Sequence, residues 1–268
     1  MLLDRIRYIL GVILIIPVYP IMFFQSRKIK REFPDLPEAE NPVGEVGSGP
    51  EMSILIVGES SVAGVGVATH TEGIAGQMSA ELATKSGHRI AYTVVAKSGY
   101  TAQKVHEELV TEIPEKPYDL ILVGLGGNDT FQVSTPWFWK RSMQALIEDL
   151  NAKFPNTPIV VICMPPVHTF TAFGHLLKFF LGRLTMLYGR EIRRMAKRLD
   201  YLHYYDYVIY LEEWIARYPE ANRPDDFFSD GVHPSPLTYR LWGRETARFI
   251  LKNVWEVQAT TAQTEAVS

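Results

Sequence analysis

The residues of this chain able to do chemistry stand where its apolar runs end. Ser53 to Val57 leads straight into Gly58-Glu59-Ser60-Ser61-Val62-Ala63-Gly64, placing a serine beside glycine at the carboxyl end of a predicted strand. A serine hydroxyl is a poor nucleophile at its free pKa; it needs a neutral imidazole within hydrogen-bond reach and a carboxylate to orient that imidazole. Asp230-Gly231-Val232-His233-Pro234, far downstream and ahead of an amphipathic stretch from Tyr239, offers both. Singly, Ser60 or Ser61 also fits the N-cap of a strand-to-helix turn, and Asp230 with His233 fits a solvated loop. Together they fit a nucleophile, its base His233 and the orienting Asp230. The serine turn is not a Gly-x-Ser-x-Gly elbow, since Val62 holds the second glycine position, nor a P-loop, since no Gly-Lys-Ser/Thr follows.

Two further segments carry glycines next to polar groups. Gly124-Leu125-Gly126-Gly127-Asn128-Asp129 lets backbone approach a ligand and offers the Asn128 amide as a donor, while Ala96-Lys97-Ser98-Gly99-Tyr100-Thr101 offers an unobstructed Gly99 N–H. Either segment alone also reads as an ordinary turn.

These segments need elements to hold them. Runs rich in β-branched residues at Ser53 to Val57, Arg89 to Val95, Leu120 to Val123, Pro158 to Cys163 and Tyr201 to Tyr205 predict five strands. Between them Ile74 to Lys85, Ala102 to Ile113 and Trp137 to Lys153 show helical spacing, so the fold class is α/β with a mostly parallel sheet. Ligands of such sheets bind outside the carboxyl ends of the strands, where the serine and glycine segments fall. The apolar stretch Met164 to Leu181 reads as an acyl-binding wall or lid, or as a helix packed on the sheet.

Composition narrows the remainder. The 268 residues are 47% hydrophobic and 21% charged with a formal net charge of −3, which gives no basic excess for nucleic acid. The single cysteine, Cys163, lies in an apolar run and forms no internal disulfide. Tyr8 to Phe24 carries no charge and reads as a membrane segment, with residues 1–32 as an N-terminal anchor. The flanks, Arg5 and Arg7 before and Arg27, Lys28, Lys30 and Arg31 after, favour a cytoplasmic catalytic domain at a bacterial inner membrane, with the periplasm as the other possibility. Residues 33–50, rich in Pro, Glu and Gly, read as a linker, 51–255 as the catalytic domain and 256–268 as a disordered tail.

In order along the chain, the four segments resemble the four blocks of the SGNH, or GDSL-like, hydrolases. The resemblance spans about Ser53 to Asn253. It implies a flavodoxin-like α/β/α sandwich with a five-stranded parallel sheet, and the triad Ser60, Asp230 and His233. It also implies an oxyanion hole from Ser60, Gly99 and Asn128, and neither metal nor organic cofactor. The first block of the family usually reads Gly-Asp-Ser, whereas Glu59 stands here. The expected substrate is a lipophilic ester or thioester; a carbohydrate O-acetyl esterase and a non-catalytic, membrane-tethered binding module are the alternatives.

Overall fold

The computed structural model describes Tyr8 and residues 36–256. The expected anchor and disordered tail fall almost entirely outside the described residues. Among these, no helix is long and apolar enough to cross a membrane.

Six strands form one sheet. In chain order they are β1 (Val43–Val46), β2 (Glu51–Gly58), β3 (Arg89–Ala96), β4 (Leu120–Gly124), β5 (Ile159–Val161) and β6 (Leu202–Tyr204). Their spatial order is β1-β3-β2-β4-β5-β6, and every neighbouring pair is parallel except β1 with β3. The five expected strands are all present, in the doubly wound order whose first crossover reverses beside β2. The sheet has one strand more than expected. Val43–Val46 lies in the segment read as a linker, and it pairs antiparallel along Ile90 to Thr93. Glu40 bridges Thr69, and the Ala39 N–H donates to Ala63 O at 2.9 Å, so these residues belong to the domain.

The central strands are buried on both faces, as the continuous apolar run Ile54 to Val57 requires of a parallel sheet covered by helices. Alternation along β2 sends Ile54 and Ile56 to one core and Leu55 and Val57 to the other. The first core is closed by α1 (Ile74–Ser86) and α7 (Pro236–Ile250). The second is closed by the helical segment opening with α2 (Ala102–Lys104), by α4 (Pro136–Lys153) and by the C-terminal half of α5 (His175–Ala196). Between these lie the short helices α3 (Gly127–Phe131) and α6 (Leu211–Arg217). Local signals set the boundaries: Thr135 caps α4 ahead of Pro136, and Gly87 ends α1 in the left-handed region at φ 69°. Cys163 is buried, and burial pushes its thiol up to about 12, as suits a packing residue.

Candidate active site

β2 and β4 run side by side into their loops. A Cβ on Gly58 would lie 2.4 Å from Gly124 O and from Val62 Cγ2, so the two strand ends close only around glycine. The Glu59 N–H then donates to Gly124 O at 3.1 Å, and the chain coils into a turn. Val62 and Ala63 N–H donate to Glu59 O at 2.9 and 2.8 Å, and Val65 N–H donates to Ser60 O at 3.0 Å. No helix begins until Ile74, so Ser60 caps none; its partly exposed side chain stands at the carboxyl edge of the sheet.

The histidine is placed from the other end of the chain. Ser235 caps α7 by accepting the Thr238 N–H at 3.3 Å, with Pro236 preset in the first turn. Just before that cap, Asp230 Oδ2 meets His233 Nδ1 at 2.7 Å, while Oδ1 accepts the His233 and Val232 N–H groups at 2.7 and 2.9 Å. Burial pushes the Asp230 carboxyl up, but the His233 ring and these N–H donors outweigh it and hold it below the ordinary carboxylate range. An acceptor on Nδ1 fixes the proton there and leaves Nε2 as the basic nitrogen. Two contacts join the loops: the buried Tyr239 hydroxyl donates to Val65 O at 2.7 Å, and Ser229 Oγ donates to Gly66 O at 3.2 Å. Gly66 has φ +104°, and a Cβ on it would lie 2.5 Å from Pro234 O, so only glycine lets the two turns approach.

Ser60 and His233 line one narrow cavity of about 60 Å³. Phe131, Phe170, Ile209, Leu211, Trp214, Phe227, Phe228 and Trp242 make its walls, so it is apolar apart from the end lined by Ser60 and His233. The segment after β5 closes over it. Val167, Phe170, Leu177 and Leu181 form a small core of their own against Phe228 and Val232, and the Ala172 N–H donates to Gly231 O at 3.1 Å. Pro165, Pro166 and Phe170, ahead of α5, therefore line the cavity; the N-terminal half of α5 packs behind them through Leu177 and Leu181, while its C-terminal half packs on the sheet.

The model of the GDSL-like lipase/acylhydrolase family matches residues 56–241, well over half of the chain. The chain belongs to that family. It is accordingly a hydrolase acting on ester bonds. Solved GDSL-type structures share the fold. A lipolytic G-D-S-L family protein from Veillonella parvula is 17% identical over 75% of this chain and 99% of its own, with a TM-score of 0.56. The lipase/acylhydrolase from Enterococcus faecalis is 17% identical over 74% and 95%, at 0.51. The psychrotrophic esterase EstA from Pseudoalteromonas sp. is 19% identical over 75% and 97%, at 0.50. No curated protein matches the chain.

Within this GDSL-type site, Asp230 is bonded to His233, which lines the same cavity as Ser60, and Ser60 and His233 do not hydrogen-bond to each other. Hydrogen bonds between a nucleophile and its base are often long in the absence of substrate. Gly99, at φ +83°, has open space beside it, in a turn where the Ser98 N–H is taken by Glu38 Oε1 at 2.6 Å. Asn128 opens α3 with its side chain engaged on Glu59 Oε2 at 2.5 Å and Tyr100 O at 3.1 Å. Glu59, 2% exposed, also accepts the N–H groups of Gly127 at 2.6 Å and Asn128 at 2.7 Å. Burial raises its carboxyl to about 7 against those bonds, and burial raises Asp129 to about 6, where Oδ2 accepts the Ala102 N–H at 2.9 Å. Sequence reasoning missed Glu38, Tyr239 and the wall from Ile209 to Phe228. Tyr239 was visible only as the start of an apolar stripe, and Glu38 only as one acid in a presumed linker. Among the described residues no cluster of His, Cys, Asp and Glu has the makings of a metal site.

Proposed function

We propose that this hydrolase cleaves carboxylic esters or thioesters through an acyl-Ser60 intermediate, with a lipophilic acyl group held in the cavity beside Ser60. The observation that carries the reading is the placement of Ser60 and the Asp230-bonded His233 on the wall of one apolar cavity. Ser60 Oγ attacks the acyl carbonyl as His233 Nε2 takes its proton, and the resulting imidazolium is stabilised by Asp230. His233 then returns the proton to the departing alcohol or thiol. Water, deprotonated by the same nitrogen, releases the acid and regenerates Ser60. The Ser60 and Gly99 N–H groups and the Asn128 amide are the assigned oxyanion donors.

The aromatic wall supports a hydrocarbon acyl chain, since it provides almost nothing to hydrogen-bond a sugar. Its volume of about 60 Å³ supports a short chain, because a single water already needs about 10–15 Å³ measured the same way. An O-acetyl esterase remains the second reading on that account. The esterase EstA is recorded as inhibited by monoethylphosphonate, which is consistent with a phosphonate-reactive site in this fold. Membrane tethering through Tyr8 to Phe24, with the domain on the cytoplasmic side, completes the proposal on the composition of that segment. Ser60→Ala should abolish turnover of an activated short-chain ester; turnover at the wild-type rate would reject the mechanism. Recovery of the full chain in the soluble fraction after cell lysis would reject the tether.

A further inference from the structure

Both oxygens of Glu59 are filled by the loop that opens α3. Oε1 accepts the Gly127 N–H at 2.6 Å, and Oε2 accepts both the Asn128 N–H at 2.7 Å and the Asn128 side-chain amide at 2.5 Å. The same amide nitrogen donates to the Tyr100 carbonyl at 3.1 Å. A primary amide has two N–H bonds. Both are occupied here, so the donor assigned to the oxyanion is turned away from that task.

We propose that Glu59 is a positioning residue that controls the Asn128 oxyanion donor: the carboxylate withholds the amide, and the carboxylic acid releases it. This deepens the acyl-Ser60 reading and rests on it. An ionised carboxylate only accepts hydrogen bonds, whereas its acid carries a hydrogen on one oxygen. Oε1 accepts one N–H and Oε2 accepts two, so a hydrogen on Oε2 leaves that oxygen room for only one of its two donors. The Gly127 and Asn128 N–H groups are fixed in the backbone of α3, but the Asn128 amide turns about its own side-chain torsions. It is therefore the group that yields. The proton enters from the cavity that Glu59 lines and leaves by it, and only the Glu59 O–H bond forms or breaks.

The neighbouring groups place this exchange in a useful range. Asp129, the next residue on α3, is buried with Oδ1 unpartnered, and its charge disfavours ionisation of Glu59. His233, backed by Asp230, is the titratable group that lines the same cavity. Burial and Asp129 raise the Glu59 carboxyl to about 7, so its state changes near neutrality. The longer arm also matters. Aspartate would draw the carboxyl back by about 1.5 Å, the length of one C–C bond, and out of reach of at least one of the three donors.

The test is kcat for p-nitrophenyl butyrate from pH 5.5 to 9.5, measured on wild type, Asn128→Ala, Glu59→Gln and Glu59→Asp, with Ser60→Ala as reference. Where the amide is free, Asn128→Ala should cost on the order of 10²–10³ in kcat. That loss should appear at acid pH and be at least tenfold smaller at pH 9. Glu59→Gln should show no alkaline decline, and wild-type Asn128 side-chain amide resonances should titrate with the midpoint of the kcat decline. Should Glu59→Gln fail to fold, Glu59→Asp serves in its place and should likewise lack the decline. A loss on Asn128→Ala that is constant with pH, with amide resonances that do not titrate, overturns the role of Glu59 while an inactive Ser60→Ala leaves the acyl-Ser60 reading standing. A fully active Ser60→Ala overturns both.

Discussion

Glu59→Gln should change how folding stability depends on pH, and the size of the change follows from the burial of Glu59. Its carboxyl is carried from an ordinary 4.5 to about 7, chiefly by burial. At about 1.4 kcal/mol per pKa unit this is roughly 3 kcal/mol of differential interaction. The folded state binds the Glu59 proton more tightly than the unfolded chain, so stability is fully present below pH 4.5 and is lost as pH rises through about 7. Asp129 acts in the same direction, and Asp230, held below its ordinary value, acts in the opposite one. So do the imidazoles of the buried His70 and the half-buried His168 and His203, which desolvation holds down. Subtracting the variant from wild type at each pH cancels these to first order and isolates Glu59. Urea unfolding of both proteins at pH 5 and pH 8 is the assay. The stability difference, wild type minus Glu59→Gln, should move by roughly 2–3 kcal/mol against wild type between those values. A difference that stays constant across the range would refute the assignment of a strained, buried charge to Glu59.

Other outcomes follow from the same contacts. Asp230→Asn keeps the shape of the catalytic loop but loses the acceptor that fixes the His233 tautomer, so steady-state kcat should fall by about 10⁴. A p-nitrophenyl ester series should show kcat/KM rising from acetate to butyrate by about fourfold per methylene, the equivalent of about 0.8 kcal/mol for each buried CH₂. It should then level or fall as the chain outgrows the cavity; a maximum at acetate would favour the O-acetyl esterase. Tyr239→Phe removes the hydroxyl on Val65 O and should cost about 1–3 kcal/mol in thermal or urea unfolding, because the carbonyl is left buried without its donor.

Much of the scaffold was legible because its signals are local. The buried strands announce themselves as β-branched runs such as Ile54 to Val57, and α4 opens on Thr135-Pro136. Val43–Val46 escaped notice because four residues at an edge, between Pro42 and Gly47, pair on one side only and carry no continuous apolar run. The helix expected from Ala102 to Ile113 is present but changes its hydrogen bonding from α at Ala102–Lys104 to π at Val105–Leu109 and 3₁₀ at Val110–Glu112. That shift depends on packing rather than periodicity. Ser60, Asp230 and His233 could be paired in advance because their chemistry requires one another. The capture of Asn128 by Glu59 could not, since it joins residues far apart in the chain and turns on the length of one side chain. The wall from Ile209 to Phe228 was hidden for a different reason: a residue that lines a cavity has the same apolar character as one that fills a core. On α5, Arg193 pairs with Asp206 and Arg194 with Glu191.

The most direct test of the account is covalent labelling by a fluorophosphonate, followed by peptide mapping of the full chain. The nucleophile assignment predicts one modified site, Ser60, with labelling lost in Ser60→Ala and strongly slowed in His233→Ala. Unchanged labelling of Ser60→Ala, or modification mapped to another residue such as Ser61, would contradict it.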